Sequence, residues 1–165
     1  MSKVLTGALD GRGRRFAIVV ARFNEVVTER LLVSARRTLQ QAGVADADVT
    51  VVWVPGAFEL PQACAWLAAS GRFDGLLLLG AVVRGGTDHY EYVCSGVTQG
   101  TMQAQLDHGV PIGFGLLTCA EMAQALARAG GDAGDKGADA AAAALMMVSL
   151  RSQIGTAAAA GPASS

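Results

Sequence analysis

The sequence predicts an α/β domain built as a three-layer αβα sandwich, with a four-stranded parallel sheet between two layers of helices. From residue 16 onwards, short β-branched or leucine-rich runs alternate with longer amphipathic runs, which is typical of strand-helix-strand units. The third short run, Leu76 to Val83, is apolar almost throughout, so we expect a strand buried on both faces. A chain of 165 residues can bury one such core by itself.

The first half of the chain supplies two strand-helix units. Phe16 to Ala21 is predicted as the first strand, followed by a helix from about Thr28 to Ala42 that ends at Gly43. Val49 to Val54 is the second strand, and a helix from about Leu60 to Ala69 follows it. Each strand is therefore followed by a helix, as the crossovers of a parallel sheet require.

The second half continues the same alternation. Leu76 to Val83 is the third strand, and a helix is expected from about His89 to Leu106. Ile112 to Leu117 is the fourth strand, interrupted by Gly113 and Gly115. Glycines inside a strand indicate that another backbone or a ligand approaches closely there.

Two further helices close the predicted domain. They are expected from about Ala120 to Ala129 and from Ala138 to Gln153, with the loop Gly130 to Gly137 between them. The resulting architecture is flavodoxin-like, with ligands expected beyond the carboxyl ends of the strands.

The domain organisation follows from composition. Residues 14–154 are expected to form a single domain, preceded by a flexible N-terminal arm, residues 1–13. Residues 155–165 are Ala, Gly, Pro and Ser for the most part, which predicts a disordered tail. No apolar stretch approaches the roughly 20 residues of a membrane span, and no signal-peptide pattern is present. We therefore expect a soluble protein that is not exported.

Charge and cysteine content exclude several classes of function. With 13 basic and 14 acidic residues the net charge is -1, so neither a nucleic acid nor an anionic membrane is an expected partner. Cys64, Cys94 and Cys119 are odd in number and widely spaced, which argues against a disulfide framework and a zinc site. His89 and His108 are too far apart along the chain to form a metal site. These features favour a cytoplasmic protein without a metal.

Three segments that directly follow predicted strands carry unusual side chains. They are Arg22 to Asn24, Pro55 to Glu59 and Arg84 to His89. Because the carboxyl ends of parallel strands share one edge of the sheet, we expect these segments to converge there. Their convergence indicates a single ligand site more strongly than any one motif does.

The segment after the third strand suits a phosphorylated small molecule. Gly85, Gly86 and Thr87 offer flexible backbone N–H groups and a hydroxyl at a helix start, which favours a single phosphate. His89 lies near the positive end of that helix, where the neutral imidazole is favoured as a base or proton shuttle. An ordinary turn with Thr87 or Asp88 as N-cap, and a surface histidine without a task, are equally consistent with the pattern.

Other candidate residues also have two interpretations. Phe23 suits either a hydrophobic staple on the next helix or a stacking surface for a ring. Glu59 suits either a first-turn acid stabilised by the helix dipole or an acceptor for ligand N–H groups. Arg128 suits either C-terminal charge pairing or a phosphate contact, and the residues alone leave these alternatives open.

Taken together, these residues make the chain similar to the lumazine synthase (6,7-dimethyl-8-ribityllumazine synthase) family. The resemblance runs from about Phe16 to Leu150. It rests on six motifs in order: Arg22-Phe23-Asn24, Val54 to Pro61, Gly80 to Val93, Phe114 to Thr118, Gln124 to Gly130, and Asp135-Lys136-Gly137.

The resemblance implies a reaction and a set of site residues. The family condenses 5-amino-6-(D-ribitylamino)uracil with 3,4-dihydroxy-2-butanone 4-phosphate and releases phosphate and water, without metal or organic cofactor. His89 would move protons, and Gly86, Thr87 and Arg128 would hold the phosphate. The other substrate contacts that the resemblance implies are Phe23 stacked on the pyrimidine, Ala57, Phe58, Glu59, Ala81, Val82, Val83, Phe114 and Lys136.

The resemblance also implies a homo-oligomer with shared sites. Phe114, Arg128 and Lys136 would reach in from a neighbouring subunit of a pentamer. The loop between Arg128 and Lys136 is short. In this family short versions are compatible with sixty-subunit icosahedral shells, whereas insertions favour pentamers, so assembly beyond the pentamer stays open. Departures from the family pattern occur late in the chain, at Asp135, Asp139 and Met146.

Two other functions share parts of this pattern. A flavin or lumazine binder, or a shell-forming homologue, would keep the stacking pocket without turnover. A flavodoxin-like electron carrier shares the alternating architecture, but it needs a Ser/Thr-rich phosphate loop after the first strand, where Arg22 to Asn24 stands.

Overall fold

A computed structural model of the chain describes residues 1–159 and has the predicted α/β architecture. Its main sheet has four parallel strands in the order β2-β1-β3-β4. The strands are β1 (Phe16–Ala21), β2 (Val49–Val54), β3 (Gly75–Val83) and β4 (Ile112–Cys119). The fold class is thus confirmed, and the strand order is an addition that the sequence pattern did not supply.

Within residues 1–159, five α-helices cover the two faces of this sheet. They are α1 (Glu25–Gln41), α2 (Leu60–Ala69), α3 (His89–His108), α4 (Met122–Ala127) and α5 (Lys136–Ala159). Helices α1 and α5 pack against each other on one face, and α2 and α3 pack on the other. None of these helices has both the length and the apolar character needed to cross a membrane.

The core divides into two layers because successive strand residues point to opposite faces of the sheet. Ile18 and Leu77 pack towards α1 and α5, whereas Val19 and Leu78 pack towards α2 and α3, and all four side chains are fully buried. Burial of each such side chain stabilises the fold by about 1.5–3 kcal/mol. An apolar strand without alternation is therefore what a sheet covered on both faces requires.

The largest error in the predicted helix starts concerns α1. This helix begins at Glu25, three residues before the predicted Thr28. Asn24 adopts a left-handed conformation (φ 61°) that turns the chain directly from β1 into the helix. Its side-chain amide donates a hydrogen bond of 2.8 Å to the Ala81 carbonyl oxygen. A tertiary contact thus stabilises a backbone turn that local pattern did not reveal.

The region between β4 and α5 also differs from the prediction. The predicted helix from Ala120 to Ala129 is wrong at both ends, since β4 continues to Cys119 and α4 spans Met122–Ala127. A capping box between Glu121 and Gln124 starts α4. A small antiparallel hairpin of β5 (Ala129–Gly131) and β6 (Gly134–Asp135) occupies most of the predicted loop Gly130 to Gly137, and α5 begins within that loop.

The N-terminal arm contacts α5, and α5 itself extends beyond the predicted domain. The arm is held by hydrogen bonds from Ala8 N to Ser149 Oγ (3.0 Å) and from Gln153 Nε2 to the Thr6 carbonyl oxygen (2.8 Å). Helix α5 runs to Ala159, past the residue at which the tail was predicted to begin. Residues 160–165 lie outside the described residues, and the division into arm, domain and tail stays a prediction.

Glycine in β4 permits close packing of α5 against the sheet. A Cβ atom on Gly113 would overlap the carbonyl oxygen of Ala140. One on Gly115 would lie 2.9 Å from the carbonyl oxygen of Leu78 and 3.2 Å from the Ala140 methyl group. The predicted close approach at these glycines therefore involves backbone of the same chain.

We expect Gly113→Ala to lower the free energy of unfolding by about 1–3 kcal/mol, because the added methyl group must push α5 away from β4. Urea denaturation and thermal melting would measure the loss. Gly155→Ala, on α5 where a Cβ meets no atom within 4 Å, is the control and should be neutral or slightly stabilising. Equal stability of the Gly113→Ala and wild-type proteins would contradict the packing described.

Candidate active site

A cleft of about 730 Å³ lies beyond the carboxyl ends of β1, β2 and β3. Its size suits a small-molecule site, and its position is where ligands bind in open parallel sheets. The three segments that follow these strands meet here, as the sequence predicts. The predicted site residues that line the cleft are Phe23, Ala57, Phe58, Glu59, Ala81, Val82, Val83, Thr87 and His89.

Two aromatic rings at the cleft are exposed to solvent. Phe23 is 71% exposed and Phe58 is 61% exposed. The backbone N–H of Phe23 donates to the Pro55 carbonyl oxygen at 3.1 Å, which ties the end of β1 to the end of β2. A hydrophobic staple would be buried, so this exposure favours the alternative in which Phe23 offers its ring to a planar ligand.

Glu59 presents a carboxylate beside these rings. It directly precedes α2, and its Oε2 atom would lie 3.2 Å from a Cβ placed on Gly56. None of the side-chain hydrogen bonds found within residues 1–159 involves Glu59. The carboxylate is therefore able to accept hydrogen bonds from a ligand, while its place before α2 also suits the helix dipole.

The turn before α3 leaves backbone groups open to the cleft. A Cβ on Gly85 or Gly86 would meet no atom within 4 Å. Asp88 is the N-cap residue of α3, but its side chain makes no capping hydrogen bond. The first N–H groups of this helix thus lack a side-chain acceptor, and they favour an anion at the turn. Gly86 lies within this turn between two residues that line the cleft.

Helix α3 adds side chains that the sequence analysis did not select. Tyr90, Tyr92 and Val93 line the cleft together with His89. The pattern that could have revealed two of them is the helical spacing, because residues three and four positions after His89 share its face. His89 itself is exposed at the first position of α3.

The cysteines do not offer a nucleophile to this cleft. Burial raises the pKa of the Cys64 thiol to about 12, and desolvation also raises the pKa of Cys94. Since the thiolate is the reactive form, both thiols are poorly reactive near neutral pH. Within residues 1–159 no group of three His, Cys, Asp or Glu side chains is arranged to hold a metal ion.

Besides Gly86, which lies in the turn before α3, three predicted site residues do not line the cleft of their own chain. Phe114 is exposed on β4, Arg128 follows α4 and donates to the Gln124 carbonyl oxygen at 3.0 Å, and Lys136 begins α5. Lys136 Nζ lies 4.0 Å from a carboxylate oxygen of Asp139. Whether a neighbouring subunit brings them to the cleft stays a prediction.

Arg128 and Lys136 belong to one small structural unit. The Lys136 N–H donates to the Arg128 carbonyl oxygen at 2.9 Å, across the hairpin in which Ala129 pairs with Asp135. Asp135 accepts a hydrogen bond of 3.2 Å from the Ala138 N–H and lies 3.7 Å from the Arg37 guanidinium on α1. The backbones of Arg128 and Lys136 are thus joined in a unit that contacts α1 and α5.

Comparison with known proteins identifies similar sequences. The family model described as 6,7-dimethyl-8-ribityllumazine synthase matches residues 13–152. The enzyme of that name from Desulfovibrio desulfuricans is 48% identical over 152 residues, which cover 92% of this chain and 97% of the relative. The one from Pediococcus pentosaceus is 49% identical over 148 residues (90% and 95%). The one from Anaeromyxobacter sp. strain K is 53% identical over 142 residues (86% and 88%).

We expect Asp135→Ala to lower the free energy of unfolding by about 1 kcal/mol, because it removes the carboxylate that accepts from Ala138 at the start of α5. Asp135→Asn keeps an acceptor at that position, so its loss should be smaller. Asp132→Ala, on the same hairpin, is the matched control. Urea denaturation would measure all three, and an equal loss for the Ala and Asn variants would contradict the capping role.

Proposed function

The chain belongs to the 6,7-dimethyl-8-ribityllumazine synthase family, and on that premise we propose that the cleft beyond β1, β2 and β3 is its active site. The protein is a transferase of riboflavin biosynthesis. It condenses 5-amino-6-(D-ribitylamino)uracil with 3,4-dihydroxy-2-butanone 4-phosphate and releases phosphate and water. The observation that supports the site is the meeting of three separate segments in one cleft with aromatic, acidic and anion-binding parts.

The pyrimidine substrate occupies the aromatic end of the cleft. The exposed ring of Phe23 stacks on the planar heterocycle, and the Glu59 carboxylate accepts from N–H or hydroxyl groups. Backbone groups of Ala57, Phe58 and residues 81–83 contact the ring and the ribityl chain. This assignment explains why two large apolar rings remain exposed in the single chain.

The phosphorylated substrate occupies the other end. The backbone of Gly86 and the hydroxyl of Thr87 hold its phosphate at the start of α3, where free N–H groups and the helix dipole favour an anion. Arg128 adds a charge-assisted hydrogen bond to the same phosphate. The carbonyl carbon of this substrate is thereby brought next to the amine of the pyrimidine.

His89 transfers protons between the two bound substrates. During imine formation the attacking amine loses a proton and the departing hydroxyl gains one, and the imidazole carries out both transfers. It serves in the same way during phosphate loss and ring closure. Most of the rate gain comes from holding the two reactants together, and proton transfer adds a smaller part.

The active site is completed by a second copy of the chain in a homopentamer. Phe114, Arg128 and Lys136 are accessible and lie outside their own cleft, which suits delivery to a neighbour. The Arg128-Lys136 unit would enter as one piece, because a backbone hydrogen bond joins the two residues. Pentamers of this kind are also the units from which a sixty-subunit shell would form.

A cytoplasmic location agrees with the three free cysteines of the described chain.

We expect His89→Ala to reduce kcat by about 100-fold, because it removes the proton carrier but leaves both substrates in place. Product formation would be followed by the fluorescence of the lumazine and by phosphate release. His108→Ala, at the far end of α3, is the matched control and should retain full activity. Saturable lumazine binding by a wild-type protein that forms no product would instead indicate a binding protein.

A mixing experiment tests the shared site. We expect His89→Ala and Arg128→Ala oligomers to be nearly inactive separately. After joint unfolding and reassembly at equal amounts, about one quarter of the sites should combine an intact His89 with an intact Arg128 from the neighbour. Recovery of about that fraction of wild-type activity is the expected result. No recovery in reassembled oligomers whose size is confirmed by light scattering would place both residues in the same chain's site.

A further inference from the structure

We propose that Arg84 is a positioning residue for the turn that binds phosphate, and that it acts through Glu91 and Tyr90. The phosphate turn is defined as residues 85–88. Arg84 lies just before it, and Tyr90 and Glu91 lie just after it on α3. The inference rests on the proposed function, because it assigns a support to the anion site described there.

Arg84 connects the two ends of the phosphate turn. Its Nη2 atom lies 3.0 Å from Oε1 of Glu91, and its guanidinium carbon lies 4.4 Å from the centre of the Tyr90 ring. Its backbone N–H donates to the Cys119 carbonyl oxygen at the end of β4 at 2.9 Å. One residue therefore fixes the start of the turn to the sheet and the end of the turn to the first turn of α3.

The phosphate turn needs such a support because little else restrains it. Gly85 and Gly86 have no neighbouring atoms where a Cβ would stand, and glycine backbone loses much conformational entropy when it is ordered. Asp88 makes no side-chain capping bond. A bridge across the turn reduces the number of conformations that the backbone N–H groups and His89 must give up when phosphate binds.

The ion pair between Arg84 and Glu91 is exposed, so its effect on the turn can be measured apart from the overall stability of the protein. The side chains of Arg84 and Glu91 are 50% and 62% exposed, and ion pairs as exposed as this contribute little to folding. Their loss should therefore leave the protein folded, and a change in phosphate binding can then be assigned to the turn. Stacking of the planar guanidinium on Tyr90 adds an interaction that lysine cannot reproduce.

Glu91 distinguishes this arrangement from direct phosphate binding by Arg84. If Arg84 bound the phosphate itself, Glu91 would compete for the guanidinium, and Glu91→Gln would tighten phosphate binding. In the positioning role Glu91 holds Arg84 across the turn, so Glu91→Gln should weaken phosphate binding as Arg84→Gln does. The two roles thus predict opposite signs for one substitution.

The test compares Arg84→Gln, Glu91→Gln and the double variant in the assembled enzyme. We expect each single change to raise KM for the phosphorylated substrate, and Ki for inorganic phosphate, by about 3- to 5-fold, with KM for the pyrimidine changed less than about 2-fold. The KM and Ki values of the double variant should not exceed those of the more affected single variant, because each substitution removes the same Arg84–Glu91 interaction. Arg84→Lys keeps the charge but loses the stacking on Tyr90, so its KM and Ki values should lie between those of wild type and Arg84→Gln.

A matched pair elsewhere in the chain supplies the control. Arg36 and Asp46 form a 2.8 Å ion pair, 50% and 81% exposed, that does not line the cleft. Arg36→Gln should leave the KM values for both substrates and the Ki for inorganic phosphate unchanged. If Arg84→Gln fails to fold, Glu91→Gln and Arg84→Lys still carry the test.

Three results would overturn the inference. They are tighter phosphate binding by Glu91→Gln, unchanged constants in both single variants, and additive losses in the double variant. Failure of the proposed site itself would look different, because Arg128→Ala and His89→Ala would then also behave as wild type. If those two variants lose activity while Arg84→Gln keeps wild-type constants, the positioning role of Arg84 is overturned and the proposed site still stands.

Discussion

The in-register parallel pairing of β1 with β2 and β3 is the constraint on which the site depends. Ala21 pairs with Val54, so the two strands end at the same level and their following segments leave the sheet side by side. Asn24 then reaches across to the carbonyl oxygen of Ala81 on β3. A slip of one residue in either pairing would move every side chain of the slipped strand to the opposite core layer, so packing in both layers also fixes the geometry of the cleft.

The chain divides the proposed chemistry between two of its surfaces. The cleft presents aromatic rings, a carboxylate, a helix start and a histidine, all from segments that follow β1, β2 and β3. Arg128 and Lys136 are carried elsewhere, on a hairpin tied to α1 by Asp135 and Arg37. On the proposal above, the cleft of one copy lacks cations that a neighbouring copy would supply, and assembly would then be a condition for activity.

Sequence reasoning succeeded where local pattern and tertiary packing favour the same structure. The bounds of β1, β2 and α2 agree with the prediction, because apolar runs of strand length and a helical run ending before Ser70-Gly71 leave little freedom. It failed at the start of α1 and at the hairpin before α5. Asn24 takes a backbone conformation that a contact with β3 supports, and β5 and β6 are too short to carry a periodic signal.

The alternation of strands and helices, the burial of the sheet on both faces and the residue types after each strand could all be read from the sequence, since all three are properties of local pattern. The strand order, the inclusion of Tyr90 in the cleft and the position of Arg84 across the phosphate turn became visible only in the folded chain. Those features depend on contacts between residues that are distant in sequence or that meet only after the chain turns. Periodicity reports which face of an element is apolar, but not which other element covers it.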